Sequence, residues 1–75
     1  MIKEHDRVVL TKEVPAEGLK SGDVGTVIHV HKKDKAFEVE FVALDGETLA
    51  IATLDASDIR PVQRKEITHA RALRA

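Results

Sequence analysis

The chain contains no cysteine, no tryptophan and no tyrosine, and two phenylalanines are its only large aromatic side chains. Without cysteine, a chain of 75 residues can form neither a disulfide framework nor a thiolate zinc site. Without tryptophan and tyrosine, it lacks the flat rings on which single-stranded nucleic acids stack and which anchor many protein interfaces. These absences predict one small domain that depends on a single modest core.

The chain also lacks an apolar run of roughly 20 residues, the length that spans a bilayer. Its first ten residues, MIKEHDRVVL, carry charges where a secretory signal needs an apolar stretch. We therefore expect a cytoplasmic protein that has no membrane partner.

The charges nearly balance over the whole chain but are unevenly spread. Residues 1–62 carry 8 Lys and Arg against 12 Asp and Glu, whereas residues 63–75 carry 4 against 1. An acidic body is a poor match to a duplex-DNA-binding protein, which places basic side chains along one face. The charges predict a domain over 1–62 and a basic tail over 63–75, and they disfavour nucleic acid as a partner of the domain.

Short β-branched and alternating stretches predict five strands. In the most regular stretch, AFEVEFV, apolar residues alternate with two glutamates. A long first loop and a 3₁₀ turn before the last strand favour an all-β fold, a small SH3-like five-stranded barrel. The tail is rich in helix formers but has a thin apolar stripe, so any helix there would be short and frayed or partner-dependent. The five predicted strands cover 6–12, 24–31, 36–42, 48–54 and 59–62.

The stretch GLKSGDVGTV, residues 18–27, could be a phosphate-binding loop or a corner of the sheet. A Walker loop needs G-x-x-x-x-G-K-[ST] between a strand and a helix. Here the Lys-Ser/Thr pair is missing, a β-branched run follows, and Asp23 would repel phosphate. Gly22 can instead supply a turn residue with positive φ, and Gly25 can permit a bulge or a close strand crossing. We interpret the stretch as a corner and expect no cofactor.

The motifs GLKSGDVGTVI, FEVEFV and DGET together resemble a family of short bacterial proteins of unknown function. That family carries G-D-x-G-T-V, a tyrosine- or phenylalanine-led E-V-E-F and a D-G turn, and the resemblance covers residues 4–62. It implies an SH3-like β-barrel with no known activity. The genes that neighbour the family imply an accessory role, antitoxin-like or immunity-like, to another gene product.

Two constellations invite a chemical interpretation. His29 and His31 lie two apart on one strand and so share a face, with His5 as a candidate third metal ligand. Glu38 and Glu40 are paired carboxylates, but their alternation with apolar residues is typical of the solvated side of a half-buried strand. No nucleophile accompanies them. We prefer exposed histidines and solvated glutamates, and we expect no metal site and no catalytic residue.

The pair Asp45-Gly46 is the strongest hairpin signal in the sequence, and it predicts a two-residue type I′ turn with positive φ at both central residues. Such a turn would fix the register between the third and fourth strands. The cross-strand pairs would then be Val42–Leu49, Glu40–Ile51, Phe41–Ala50 and Val39–Ala52.

In that register Val42, Leu49 and Ile51 project outward beside Glu38 and Glu40. An apolar patch rimmed by carboxylates is typical of a protein-binding surface. The alternatives are a bulge that returns part of the patch to the core, or a tail that covers it. We predict that the patch binds a protein partner, which could be a second copy of the chain.

The tail offers a different kind of contact through its basic side chains, Arg64, Lys65, Arg71 and Arg74. They could touch nucleic acid or an acidic partner, or simply solubilise a mobile terminus. The sequence therefore favours a non-enzymatic protein-interaction module with no small-molecule substrate. The alternative is a nucleic-acid-binding accessory protein that uses the tail.

Overall fold

The computed structural model describes residues 1–31, 33 and 35–73 of the chain, and it is built from strands. It contains two single 3₁₀ turns, Pro15–Glu17 and Ala56–Asp58, and no α-helix among the described residues. The all-β prediction is therefore confirmed. The strands are β1 (Arg7–Leu10), β2 (Val24–His31), β3 (Ala36–Val42), β4 (Thr48–Asp55) and β5 (Ile59–Pro61).

All five strands belong to one antiparallel sheet in the order β4-β3-β2-β1-β5. The last strand returns to pair with the first, so β4 and β5 are the two edges. In the described part of the chain these edges do not pair with each other. Closure of the sheet into an SH3-like barrel therefore stays a prediction.

The core lies on the inner face of the sheet, as the alternation of apolar and acidic residues in β3 predicts. Phe37, Val39 and Phe41 are buried there. Val39 lies opposite Ala52, and Phe41 lies opposite Ala50, as predicted. Large side chains of β3 thus pack beside small side chains of β4, and the inner surface becomes dense without overcrowding.

The turn that leads into β5 is held by the buried carboxylate of Asp58. One oxygen accepts a hydrogen bond from the N–H of Asp55 at 3.0 Å, and the other lies 3.3 Å from Lys12 Nζ. The backbone of this turn also accepts a hydrogen bond from Thr11, at 2.8 Å between its nitrogen and Asp58 O. These contacts place the short β5 beside β1.

The loop between β3 and β4 differs from the predicted two-residue turn. Gly46 has φ +99°, but Asp45 does not have the positive φ that a type I′ turn requires. Gly46 N donates to Ala43 O at 2.8 Å, and Ala43 N donates to Glu47 O at 2.7 Å. This is the three-residue loop in which a left-handed glycine follows a tight turn. The carboxylate of Asp45 supports it by accepting the N–H of Glu47 at 3.1 Å.

The longer loop changes the register at one end of the hairpin. The predicted opposition of Glu40 and Ile51 is confirmed, but the pairing shifts between Phe41 and Val42. Val42 consequently lies opposite Thr48, and the predicted Val42–Leu49 pair is wrong by one residue. The physical reason is the extra loop residue, which a bulge in the adjoining ladder absorbs.

The segment after β5 contains no helix between residues 62 and 73, in contrast to the short helix considered for the tail. It turns at 64–65, where Lys65 has φ +65°. Ile67 is 92% exposed, so the apolar stripe that a packed helix would need is not buried. No helix long and apolar enough to cross a membrane occurs in the described part of the chain.

The glycine-rich stretch forms a corner of the sheet, as predicted. Gly22 has φ +98°, and the carboxylate of Asp23 closes the turn by accepting the N–H of Lys20 at 2.8 Å. At Gly25 the side chains of β3 pack directly over the backbone of β2. A Cβ added there would lie 2.5 Å from Val39 Cγ1 and 2.9 Å from Phe41 Cε2. Only glycine fits without displacing the core.

We predict that Gly25→Ala destabilises the fold by about 1–3 kcal/mol, because the new methyl group overpacks the core. Denaturant unfolding of the purified variant measures this. Gly46→Asn is the comparison for backbone strain without crowding: a Cβ at Gly46 meets no atom within 4 Å, but its φ of +99° strains any L side chain. A free energy of unfolding for Gly25→Ala equal to that of the wild-type chain would contradict the packing explanation.

Candidate protein-interaction surface

The outer face of the β3–β4 hairpin carries the predicted apolar side chains in exposed positions. Val42 is 43% exposed, Leu49 is 38% exposed and Ile51 is 51% exposed. With Glu38 and Glu40 they form what we call the outer patch. The bulge near Val42 does not return these side chains to the core. They are exposed, as the predicted protein-binding surface requires. Binding by the outer patch stays a prediction.

The two carboxylates of the outer patch are held by neighbouring strands. Glu40 Oε2 accepts a hydrogen bond from Thr48 Oγ1 at 2.6 Å, across the β3–β4 pair. Glu38 Oε2 lies 2.9 Å from His31 Nε2 on β2. The acidic rim is therefore fixed in position, which lowers the entropic cost of using it to orient a basic partner.

Sequence reasoning missed Ile28, a further exposed apolar side chain, which lies on β2. The β2–β3 register shifts between Val27 and His29, so Ile28 lies in a bulge and is 39% exposed. A bulge puts two consecutive side chains, Ile28 and His29, outward and breaks the alternation of the strand. The only signal in the sequence is the run VIHV, which a regular strand also permits.

The two histidines of β2 lie side by side, as their spacing predicts. The ring centroids of His29 and His31 are 4.3 Å apart in an edge-to-face arrangement. His29 Nδ1 lies 3.6 Å from Glu4 Oε2, and His31 contacts Glu38. Among the described residues no group of three histidine or carboxylate side chains is arranged to hold a metal ion, so His5 does not complete one.

A groove of about 690 Å³ includes three residues of the outer patch, Glu40, Val42 and Leu49, in its lining. The β3–β4 loop and tail residues 68–73 also line it. Leu73 is half-buried and packs against the hydrophobic core. The tail thus borders the outer patch and leaves its apolar side chains exposed.

Arg71 fixes the tail to the glycine corner. Its Nε donates to Asp23 Oδ1 at 2.9 Å, a second guanidinium nitrogen contacts Asp23 Oδ2, and the same nitrogen lies 3.2 Å from Gly18 O. Burial by itself would raise the pKa of Asp23, but the hydrogen bonds from Arg71 and from the N–H of Lys20 outweigh it and lower that pKa. Arg71 is therefore engaged within the chain.

A second ion pair folds the start of the tail onto β5. Arg60 binds Glu66 with two parallel hydrogen bonds, at 2.9 Å and 2.6 Å. Arg64 and Lys65 are exposed at the turn between them, and no ion pair of either is found within the described residues. Arg74 lies outside the described residues. Nucleic-acid binding by the tail stays a prediction.

We predict that the carboxyl of Glu66 titrates at about pH 2, because hydrogen bonds from Arg60 and from the N–H of Gln63 lower its pKa from 4.5. A lowered folded-state pKa stabilises the fold above pH 4.5, and this contribution is lost as the pH falls from 4.5 towards 2. Carboxyl ¹³C chemical shifts measure the midpoint. In Arg60→Gln the midpoint should move up towards 4.5. An unchanged midpoint in that variant would show that the pair is not formed.

We predict that Arg71→Gln releases residues 68–73 and raises the pKa of Asp23, since the bonds that hold the tail and the carboxylate are removed. Backbone ¹⁵N relaxation should show increased motion from Thr68 to Leu73. Arg64→Gln is the matched control and should change neither quantity. A rigid tail in the Arg71 variant would mean that Leu73 alone holds it.

Residues 4–61 match the family model described as Domain of unknown function (DUF4926). No curated protein and no solved structure matches the chain. The match covers β1 to β5 and ends where the tail begins. The chain therefore belongs to the family of the domain of unknown function DUF4926.

Proposed function

We propose that this chain is a non-enzymatic protein-interaction module whose outer patch binds a protein partner. The observation that carries the proposal is the joint exposure of Val42, Leu49 and Ile51 beside two anchored glutamates. Single exposed apolar residues are common on protein surfaces, but several on one face with a polar rim are typical of interaction sites.

Each part of the outer patch would contribute differently to binding. Fully burying a leucine or isoleucine side chain is worth about 1.5–3 kcal/mol. Leu49 and Ile51 are about half-buried already, so burying the rest of each would contribute about half of that. Glu38 and Glu40 would attract and orient a partner with a basic surface. Val42 lies on β3 beside them and would extend the apolar contact.

The proposal also covers the closure of the fold, the family motifs and the place where the protein works. We propose that residues 1–62 form an SH3-like barrel followed by a tail at 63–75, which the return of β5 to β1 and the corner at Gly22 support. We also propose that the G-D-x-G-T-V and E-V-E-F motifs mark a family of short bacterial proteins. The protein would work in the cytoplasm as an antitoxin-like or immunity-like accessory to a neighbouring gene product.

A non-enzymatic role is supported by the hydrogen-bond partners of the two glutamates that could act as an acid and a base. Glu38 does not line the groove, and its Oε2 lies 2.9 Å from His31 Nε2. Glu40 does line the groove, but its Oε2 already accepts a hydrogen bond from Thr48 Oγ1. General acid–base catalysis instead needs a titratable group aimed at a substrate within a pocket.

We predict that the double variant Leu49→Asp with Ile51→Asp, and separately Val42→Asp, weaken partner binding at least about tenfold. The physical reason is that a charge replaces an apolar anchor at the contact. The full chain, immobilised, captures the partner from the cells that produce it, and calorimetry with the purified partner measures the affinities.

Val62→Asp is the matched control, because Val62 is 43% exposed like Val42 but follows β5 at the opposite edge of the sheet. Circular dichroism confirms that every variant is folded. Full affinity in the folded Val42 and Leu49–Ile51 variants would overturn the proposal.

A further inference from the structure

The two edges of the sheet are protected to very different degrees. Edge strands expose backbone hydrogen-bonding groups, and proteins usually shield them with short strands, charges, prolines or bulges. β5 has three residues, among them Arg60 and Pro61. β4 has eight, and residues 50–54, beyond the bulge at Leu49, contain no charge, proline, glycine or further bulge. The β4 edge is therefore open to another strand.

The backbone of β4 makes its regular contacts on one side only. It pairs with β3 from Thr48 to Asp55. Outside that pairing, residues 48–54 make no backbone hydrogen bond with any other described part of the chain. Alternate N–H and C=O groups of an edge strand point away from its sheet, so β4 presents a row of donors and acceptors.

The sequence of β4 is nearly symmetric about Ile51, which identifies the strand that fits it. If a second β4 lies antiparallel with the two Ile51 residues opposite each other, Ala50 lies opposite Ala52 of the other copy. Leu49 then lies opposite Thr53, and the regular pairing ends there because Thr48 lies beyond the bulge. Every cross-strand pair is uncharged, and the alanine methyl groups are small enough for the inner faces to meet. A surface that complements itself in this way suits a two-fold dimer.

We propose that the β4 edges of two copies pair antiparallel, in register at Ile51, and join two five-stranded sheets into one. This deepens the proposed function and rests on it, because Leu49 and Ile51 of the outer patch lie on β4. The two outer patches would become neighbours on one continuous face. The occupant of the edge is a second copy of this chain.

Sedimentation of the full chain tests the dimer. The wild-type chain should have the mass of two chains at high micromolar concentration. Ile51→Lys should shift it to the mass of one chain, because two lysines would face each other across the interface. Ile28→Lys is the matched control, since Ile28 is 39% exposed but lies on the interior strand β2, and it should remain a dimer.

Cysteine cross-linking tests the register, because the chain has no cysteine of its own. Ile51→Cys should oxidise readily to a covalent dimer, since directly opposed residues have Cα atoms within disulfide range. Thr53→Cys should not, because two Thr53 residues would be offset by four positions, about 13 Å along the strand. Adding Leu49→Cys to Thr53→Cys should restore cross-linking. Ile28→Cys measures random collision.

The dimer proposal is wrong if the wild-type chain has the mass of one chain. It is also wrong if Ile51→Cys cross-links no faster than Ile28→Cys. Faster cross-linking of Thr53→Cys alone overturns the register. The proposed function fails separately. Val42 is not on the edge strand, so Val42→Asp tests the proposed function without disturbing the edge. If the chain is a monomer and Val42→Asp loses partner binding, the dimer is wrong and the proposed function is supported. If the chain is a dimer and Val42→Asp still binds the partner, the proposed function is wrong.

Discussion

At Gly25 on β2 the side chains of Val39 and Phe41 on β3 occupy the space where a Cβ would be. This contact lets a chain of 75 residues pack the backbone of β2 directly against a core made mainly of Val, Leu and Phe. The turn at Gly22 and Asp23 leads into β2 just before it. The positions of β3, β4 and the outer patch depend on this contact, because each strand is registered against its neighbour.

The features that follow from short-range chemistry could be predicted from the sequence. The alternation in AFEVEFV placed Phe37 and Val39 inside and Glu38 outside, and the glycine corner followed from residues that tolerate positive φ. The length of the hairpin loop could not be predicted from the sequence. A D-G pair fits both a two-residue turn and a three-residue loop, and the two differ in the conformations of Leu44 and Asp45. The incorrect Val42–Leu49 pair followed from that choice.

The features that depend on long-range contacts could not be predicted. Arg71 and Asp23 are 48 residues apart in sequence, and nothing local to either residue identifies the other as its partner. The bulge at Ile28 arises where β2 adapts to β3, because a regular strand would have placed Ile28 and His29 on opposite faces. The exposed side chains of the outer patch were predictable because they depend only on the phase of β3 and β4, which the central pairs Glu40–Ile51 and Phe41–Ala50 preserve.

Stability explains the inner face of β4 but not the outer one. Ala50, Ala52 and Leu54 are buried and complete the core, whereas Leu49 and Ile51 leave 38% and 51% of their surface in water. A chain that needed only a solvated edge would carry lysine or another charged residue at these positions, as protected edges usually do. The same strand therefore combines an unshielded backbone edge with apolar side chains on its outer face. A contact with another protein surface would satisfy both, because it pairs the backbone groups and removes the aliphatic side chains from water in one step.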